Sequence, residues 1–365
     1  MRNLIWLLLL VGMLGQQLGS AEILDEIARE TETQQVEEAL TEEERQISGP
    51  LRLDGSYDLR NALQRLWRRF FTLAKESIKE EVGFSAKLVL IGLACSMGMA
   101  LSPGGKAPTW VELSCCMASV LLLSGSTGSV LQQAEESLAH LQDYATAAFP
   151  AFFTTLAACG APGSAAARYA AVQFAVSLFM HLAKELLLPL IRGYLSVSIC
   201  CAMFDNALIR GATRLTKWLA VTGMSLLCSV FCIYIGLTGL ISASADAAAV
   251  KGAKTVIASA LPVVGGILSD SAGTILAAAA IIKNSAGVFC LVSICVICAS
   301  PFAVLGAKLL AFKAAAALAS LGGSERYCGV LNSFGTVIAM LLGLVGTFGI
   351  MLFYAFLSGV RVISG

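Results

Sequence analysis

The side chains most able to do acid–base chemistry in this sequence are two histidines and the charges near one of them. His181, Lys184 and Glu185 are spaced so that a helix places them on one face, near the end of an apolar stretch. Such a face can relay a proton or an ion, or its long side chains can reach from an apolar segment to the water interface. His140 lies in another segment, and neither histidine belongs to an HExxH zinc motif.

The twelve cysteines give a second source of reactive groups, and almost all of them lie inside apolar runs. Two pairs, Cys228 with Cys232 and Cys295 with Cys298, share a helix face, but no histidine or carboxylate stands beside them to complete a metal site. The sequence also lacks a Gly-x-Ser-x-Gly elbow and a nucleotide-binding Gly-x-x-x-x-Gly-Lys-Ser/Thr loop. We therefore predict no catalytic residue, metal, cofactor or nucleotide.

The most distinctive group of small and polar residues lies between positions 262 and 284. Glycine or serine recurs there every four residues, which makes a flat helix face suited to close packing against another helix. An acid and a lysine bracket the stretch, and such charges do not face lipid. A re-entrant or interfacial hairpin and a true span lining a polar path both fit. The candidates for helix packing or for a conduit are Pro262, Gly265, Ser269, Asp270, Gly273, Lys283 and Asn284.

The composition requires a membrane around these residues. Of 365 residues, 57% are hydrophobic and 13% are charged, against roughly 25% charged in soluble domains. The pattern predicts an all-α, polytopic helical membrane protein with about seven to eight spans, of which the 262–284 segment is the one open to a re-entrant arrangement. The net charge of +1 gives no electrostatic footprint for nucleic acid.

Three regions follow from the charge distribution. Residues 1–21 have the layout of a signal peptide, with an uncleaved anchor helix as the alternative. Residues 22–86 form a short extracytoplasmic region, whose first part is acidic and is expected to be disordered or loosely helical. Residues 87–365 form the transmembrane domain.

The extracytoplasmic region ends in a predicted amphipathic helix with a basic polar face. Arg65 and Arg68 fall on the basic side, and Trp67 and Phe70 fall on the apolar side. Such a helix can lie in the membrane interface or pack on a partner protein. We name these four residues as a membrane-interface helix, with packing on a partner as the equal alternative.

The expected spans are separated by glycine, proline and charge. Lysine and arginine near their ends favour an orientation with the N-terminal region outside the cytoplasm and the acidic 132–144 segment also outside. The apolar segments are 88–101, 110–131, 145–161, 169–191, 194–208, 218–241, 288–305 and 330–357.

One stretch resembles a known family. The run Pro262-Val263-Val264-Gly265, then Asp270, Thr274, Lys283-Asn284, Gly287, Pro301 and Gly322-Gly323, is similar to stage III sporulation protein AE of endospore-forming bacteria. The resemblance is strong over roughly 250–330 and architectural before that. It implies a mother-cell protein of an assembly that joins mother cell and forespore across two membranes and sustains late forespore gene expression.

The leading functional hypothesis is therefore a non-enzymatic membrane subunit of this channel or secretion-like complex. Its partners would be the other subunits and membrane lipid, with neither nucleic acid nor nucleotide. Its place would be the mother-cell membrane around the forespore, with the N-terminal region in the intermembrane space. The alternative is a stand-alone permease that moves a small solute past Asp270 and Lys283.

Overall fold

The protein is described by a computed structural model that covers residues 33–50, 58–101, 107–158, 162–204, 206–260, 265–320 and 325–360. Side chains are described for 36–50, 58–101, 110–157, 165–204, 206–238, 285–320 and 325–359. The predicted signal peptide lies outside these ranges. Within them every element is helical: α1 Thr33–Glu38, α2 Glu42–Ser48, α3 Leu59–Ala100, α4 Ala107–Ala158, α5 Pro162–Leu182, a π-helical turn Ala183–Leu187, α6 Leu188–Met203, α7 Ala207–Ala260, α8 Gly265–Ser320 and α9 Glu325–Val360.

The all-α, polytopic prediction is confirmed. In the described part of the chain, six helices are long and apolar enough to cross a membrane. Helices suit that medium because each backbone polar group is satisfied within its own segment. The candidate spans are Leu59–Ala100, Trp110–Ala157, Ala165–Met203, Ala207–Thr238, Ser285–Ser320 and Glu325–Gly359.

The expected count of seven to eight was approximate because two pairs of predicted spans are continuous. The 110–131 and 145–161 segments are joined by helical residues 132–144 in the 52-residue α4, with Pro150 inside it. The 169–191 and 194–208 segments are joined because α6, Leu188–Met203, runs through the expected break at 192–193. The first junction contains neither glycine nor proline, and Gly193 in the second lies inside α6, so the polar and charged residues at these junctions do not end a helix.

The six long helices alternate in direction. Antiparallel packing of α8 and α9 brings Lys313 Nζ to 3.2 Å from Asn332 Oδ1. Helix α3 runs parallel to α8, because Ala62 packs near Val296 at one end while Glu81 faces Lys308 further along, with 3.8 Å between their charged atoms. The α8 helix packs most extensively against α9 and α3.

Aromatic rings and glycines of α9 fill the centre of the bundle. Phe179 of α5 stacks on Phe348 with ring centroids 5.2 Å apart, and Phe149 of α4 meets Phe356 at 4.8 Å. Gly349 allows close approach, since a Cβ there would lie 2.7 Å from Cys298 Sγ. Small residues of this kind let membrane helices pack with their backbones close together.

Candidate functional site

A polar cavity of about 390 Å³ lies where α2 covers α3, α4 and α8. Its walls carry Glu44 of α2, Arg69 of α3, Glu136 and His140 of α4, and Ser300 of α8. A cavity of this size and polarity has room for water and partners for it. It is the candidate functional site among the described residues.

The N-terminus of α2 both stabilises this helix and connects it to α4 beside the cavity. Thr41 Oγ1 accepts from the backbone N–H of Glu44 at 3.4 Å, and Glu44 Oε2 accepts from the backbone N–H of Thr41 at 2.9 Å. This capping box satisfies two donors that the start of a helix leaves open. The same Glu44 carboxylate lies 3.5 Å from His140 Nε2, so the cap also ties α2 to α4.

Further contacts fix the acidic region that was expected to be loose. The Glu43 carboxylate pairs with the Arg69 guanidinium, and Arg45 Nε donates to the carbonyl of Glu37. Val36 and Leu40 are buried in the main apolar core. Described residues 33–48 are therefore mostly helical and docked on the bundle, because acidic α2 meets the basic side of α3.

Pro301 interrupts the backbone hydrogen bonds of α8 next to this cavity. Pro301 has no N–H, so the carbonyl of Ile297 lacks the donor that a regular helix would supply four residues later. Both residues line the cavity. The α8 helix thus presents a polar backbone group in the middle of an apolar span.

The ionisable groups around the cavity contact one another and the backbone. Among the side chains that the structure describes, no three His, Cys, Asp or Glu residues are placed to hold a metal ion. The Glu43, Glu44 and Glu136 carboxylates accept from Arg69, from the Thr41 backbone and from Gln132 respectively. The arrangement holds helices together around a polar space.

The sequence-predicted conduit residues fall mostly outside this description. Pro262 lies outside the described residues. The backbones of Gly265, Ser269, Asp270, Gly273, Lys283 and Asn284 belong to the 56-residue α8, but their side chains lie outside the described part. The packing and conduit roles of these residues stay predictions, and the backbone from Gly265 to Ser320 is one continuous helix.

The four interface-helix residues all lie on α3, which continues without a break to Ala100. Trp67 is 64% exposed and pairs edge-on with the exposed Phe71, while Phe70 is half-buried. Arg65 and Arg68 are exposed beside α2. Interface and partner packing both stay open for this face.

Two polar contacts were missed by sequence reasoning. The first is the α2 cap, which the Thr41-x-x-Glu44 pattern could have predicted. The second is Arg168, which is 5% exposed and donates from Nη1 to the carbonyl of Ser358 at 2.7 Å. No local pattern pairs residues 190 positions apart, so this contact needed the fold.

The α3 and α7 sides of the bundle differ in polarity at one level. Ala62 of α3 packs on Val296 of α8, Cys298 touches Gly349 of α9, and Tyr354 of α9 touches Gly236 of α7. Measured along the axis of the bundle, these contacts place Ala62 and Gly236 within about two helical turns of each other, which we call the same level. At that level α3 exposes basic and polar side chains, namely Arg60, Gln64, Arg65 and Arg68, beside the apolar Leu59, Leu63 and Trp67. Over the same part of the bundle α7 exposes large apolar side chains, namely Leu226, Val230, Ile233 and Leu237.

The fold and these polar contacts define a multi-pass helical membrane protein. The family model for stage III sporulation protein AE matches residues 54–361, and the chain belongs to this family. A curated relative, stage III sporulation protein AE of Bacillus subtilis (strain 168), is 25% identical over 210 residues. That match covers 57% of this chain and 52% of the relative, so the chain spans about half of the relative's length. No solved structure matches the chain.

Proposed function

We propose that the protein is a non-enzymatic membrane subunit of the channel or secretion-like complex between mother cell and forespore. It would lie in the mother-cell membrane around the forespore, with its N-terminal region in the intermembrane space. Membership of the stage III sporulation protein AE family supports a sporulation role. The six apolar helices support a multi-pass position in the membrane.

The observation that carries the proposal is the difference between the α3 and α7 sides. Exposed arginines are costly against hydrocarbon and are found facing protein or water. Arg60 and Arg65 of α3 are exposed at a level where α7 exposes Val230 and Ile233. If lipid covers α7 at this level, then the α3 side faces other subunits or a water-filled space enclosed by them.

The polar cavity beneath α2 lies on that same side. Arg69 lines the cavity from α3, and the neighbouring Arg65 and Arg68 line a second polar recess beside α2. A subunit whose polar side is turned inward would contribute these surfaces to the interior of an assembly. The docked α1 and α2 would then be part of the wall and not a loose tail.

The proposal is tested by solubilising the tagged protein from sporulating cells in a mild detergent and measuring the size of its complex. Replacing Trp67 and Phe71 by glutamate should release the chain from a larger complex and reduce expression of a late forespore reporter gene. Lys87→Glu on the opposite face of α3 is the control and should change neither. A wild-type chain that migrates at the size of a monomer would contradict the proposal.

A further inference from the structure

An apolar groove of about 640 Å³ runs between α3 and α8 and is open to the side of the bundle. One wall is formed by α3 from Ile78 to Leu90, and the other by α8 from Leu310 to Leu318. Small side chains make its floor: Ser85, Ala86, Ala311, Ala314 and Ala315. A floor of small residues leaves room for another helix to approach closely.

The groove belongs to a longer exposed stripe on α3. Large apolar side chains that share this face are exposed along it, namely Trp67, Phe71, Ile78, Val82 and Leu93. From Trp67 to Leu93 the stripe is about 39 Å long, longer than the hydrocarbon layer of a bilayer at about 30 Å. Lipid tails cannot cover its whole length, whereas a partner helix lying alongside α3 can.

Polarity changes along this stripe at the lower end of the groove. Lys75, Val82 and Val89 recur every seven residues and so share one face of α3. Lys79 is one turn from Lys75 on the same side, and both lysines are exposed. An occupant of the groove thus meets apolar side chains from Ile78 upward and the two ammonium groups beside and below Ile78, while the exposed Glu76 and Glu80 lie on another face of α3.

We propose that this groove is the docking site for a helix of a partner protein that is apolar over the groove and acidic beside Lys75 and Lys79. The helix has small side chains where it crosses Ala311 and Ala314. This inference rests on the proposed function, because it names the kind of partner that covers the α3 side. A lipid acyl chain and a second copy of this chain are the competing occupants.

The test uses the purified full chain in phosphatidylcholine vesicles with two synthetic peptides. Both peptides contain the same apolar, alanine-rich transmembrane helix, and they differ in carrying a glutamate or a lysine extension at one end. Each peptide is made in two versions, with the extension at the N-terminus or at the C-terminus of the helix, so that parallel and antiparallel binding to α3 are both tested. Binding is measured by energy transfer from a fluorophore at Leu101→Cys, an exposed position at the end of α3 outside the groove, in a background without the native cysteines.

The glutamate peptide should bind about tenfold more tightly than the lysine peptide, as expected for two exposed ion pairs. The double variant Lys75→Glu with Lys79→Glu should reverse this preference, while the matched control Lys87→Glu should not. Ala314→Trp should block the groove and abolish binding of both peptides. Ala212→Trp, an exposed position on α7, should leave binding unchanged.

Several results would overturn the inference: equal affinity for the two peptides, binding that survives Ala314→Trp, or displacement of the peptide by added phosphatidylglycerol. Energy transfer between two labelled copies without peptide would identify self-association instead. Thermal unfolding of each variant checks that the bundle is intact. If the peptides do not bind as expected while the Trp67 and Phe71 variants still dissociate from the larger complex, only the groove assignment is wrong. A wild-type monomer in cells would instead contradict the proposed function.

Discussion

Arg168 shows how a single charge is accommodated inside this bundle. It lies near the start of α5, is almost fully buried, and donates to the carbonyl of Ser358 in the last turn of α9. The last carbonyls of a helix have no partner within the helix, and the helix dipole makes that end negative. A buried arginine there caps α9 and ties the start of α5 to the end of the chain's last described helix.

Arg168→Gln should therefore destabilise the purified protein. A hydrogen bond to a charged group contributes about 2 kcal/mol. The glutamine side chain is uncharged and too short to make the same contact with the Ser358 carbonyl. Thermal unfolding in detergent should show a lower Tm, with Arg168→Lys intermediate because its ammonium keeps the charge. Lys87→Gln, an exposed cation, serves as the control, and an Arg168→Gln protein as stable as that control would argue against the cap.

Local patterns contain part of this residue-level detail. The Thr41-x-x-Glu44 capping box can be predicted because its partners are three residues apart, and the structure contains both of its hydrogen bonds. The contact of Glu44 with His140 joins residues far apart in sequence. No spacing rule indicates such a pair, so the polar cavity beneath α2 could not be predicted from the sequence.

Glycines spaced by three residues set the contact between α8 and α9. A Cβ at Gly346 would lie 2.9 Å from the Phe302 ring, and one at Gly349 would lie 2.7 Å from Cys298 Sγ. Gly343 belongs to the same row but faces open space. The small-residue seam predicted from the sequence lies at Gly265 and Gly273, and the equally regular row in α9 was not predicted.

Gly349→Leu should destabilise the bundle, and Gly343→Leu should not. Inserting a side chain into the tight contact forces the backbones apart and costs about 1–3 kcal/mol. Urea or thermal unfolding in detergent would measure the difference between the two variants. Equal stability of Gly349→Leu and Gly343→Leu would contradict the close packing of α8 and α9.

The docking of α2 depends on charge as well as on apolar burial. Glu43→Arg should place a cation against Arg69 and loosen α2, and adding Arg69→Glu should restore the opposite pair. The readout is the labelling rate of Ser137→Cys, which lines the cavity, by a water-soluble maleimide in a background without native cysteines. We expect faster labelling in the single variant and a return toward the original rate in the double variant. Identical rates in all three proteins would show that this pair does not hold α2 in place.

At the scale of the whole molecule, the class of protein was predictable and the arrangement of its sides was not. Composition and apolar runs predict a helical membrane protein, because only helices satisfy the backbone in lipid across so many apolar segments. The break expected at 132–144 failed to appear because that polar stretch packs beneath α2 and continues α4. Which exposed faces share a level depends on long-range packing, so the contrast between α3 and α7 required the fold.

The central claim is that the α3 side of the bundle is covered by other subunits, while the α7 side faces lipid. Gln64→Cys on α3 and Ile233→Cys on α7 are exposed positions near one level, and a water-soluble maleimide can compare them. We predict that Gln64→Cys reacts rapidly in the purified protein in mild detergent, where no subunit covers the arginines beside it, and is protected in membranes of sporulating cells, while Ile233→Cys is unreactive in both. A Gln64→Cys thiol that reacts equally in the two preparations, or that reacts only with a lipid-soluble maleimide, would contradict the claim.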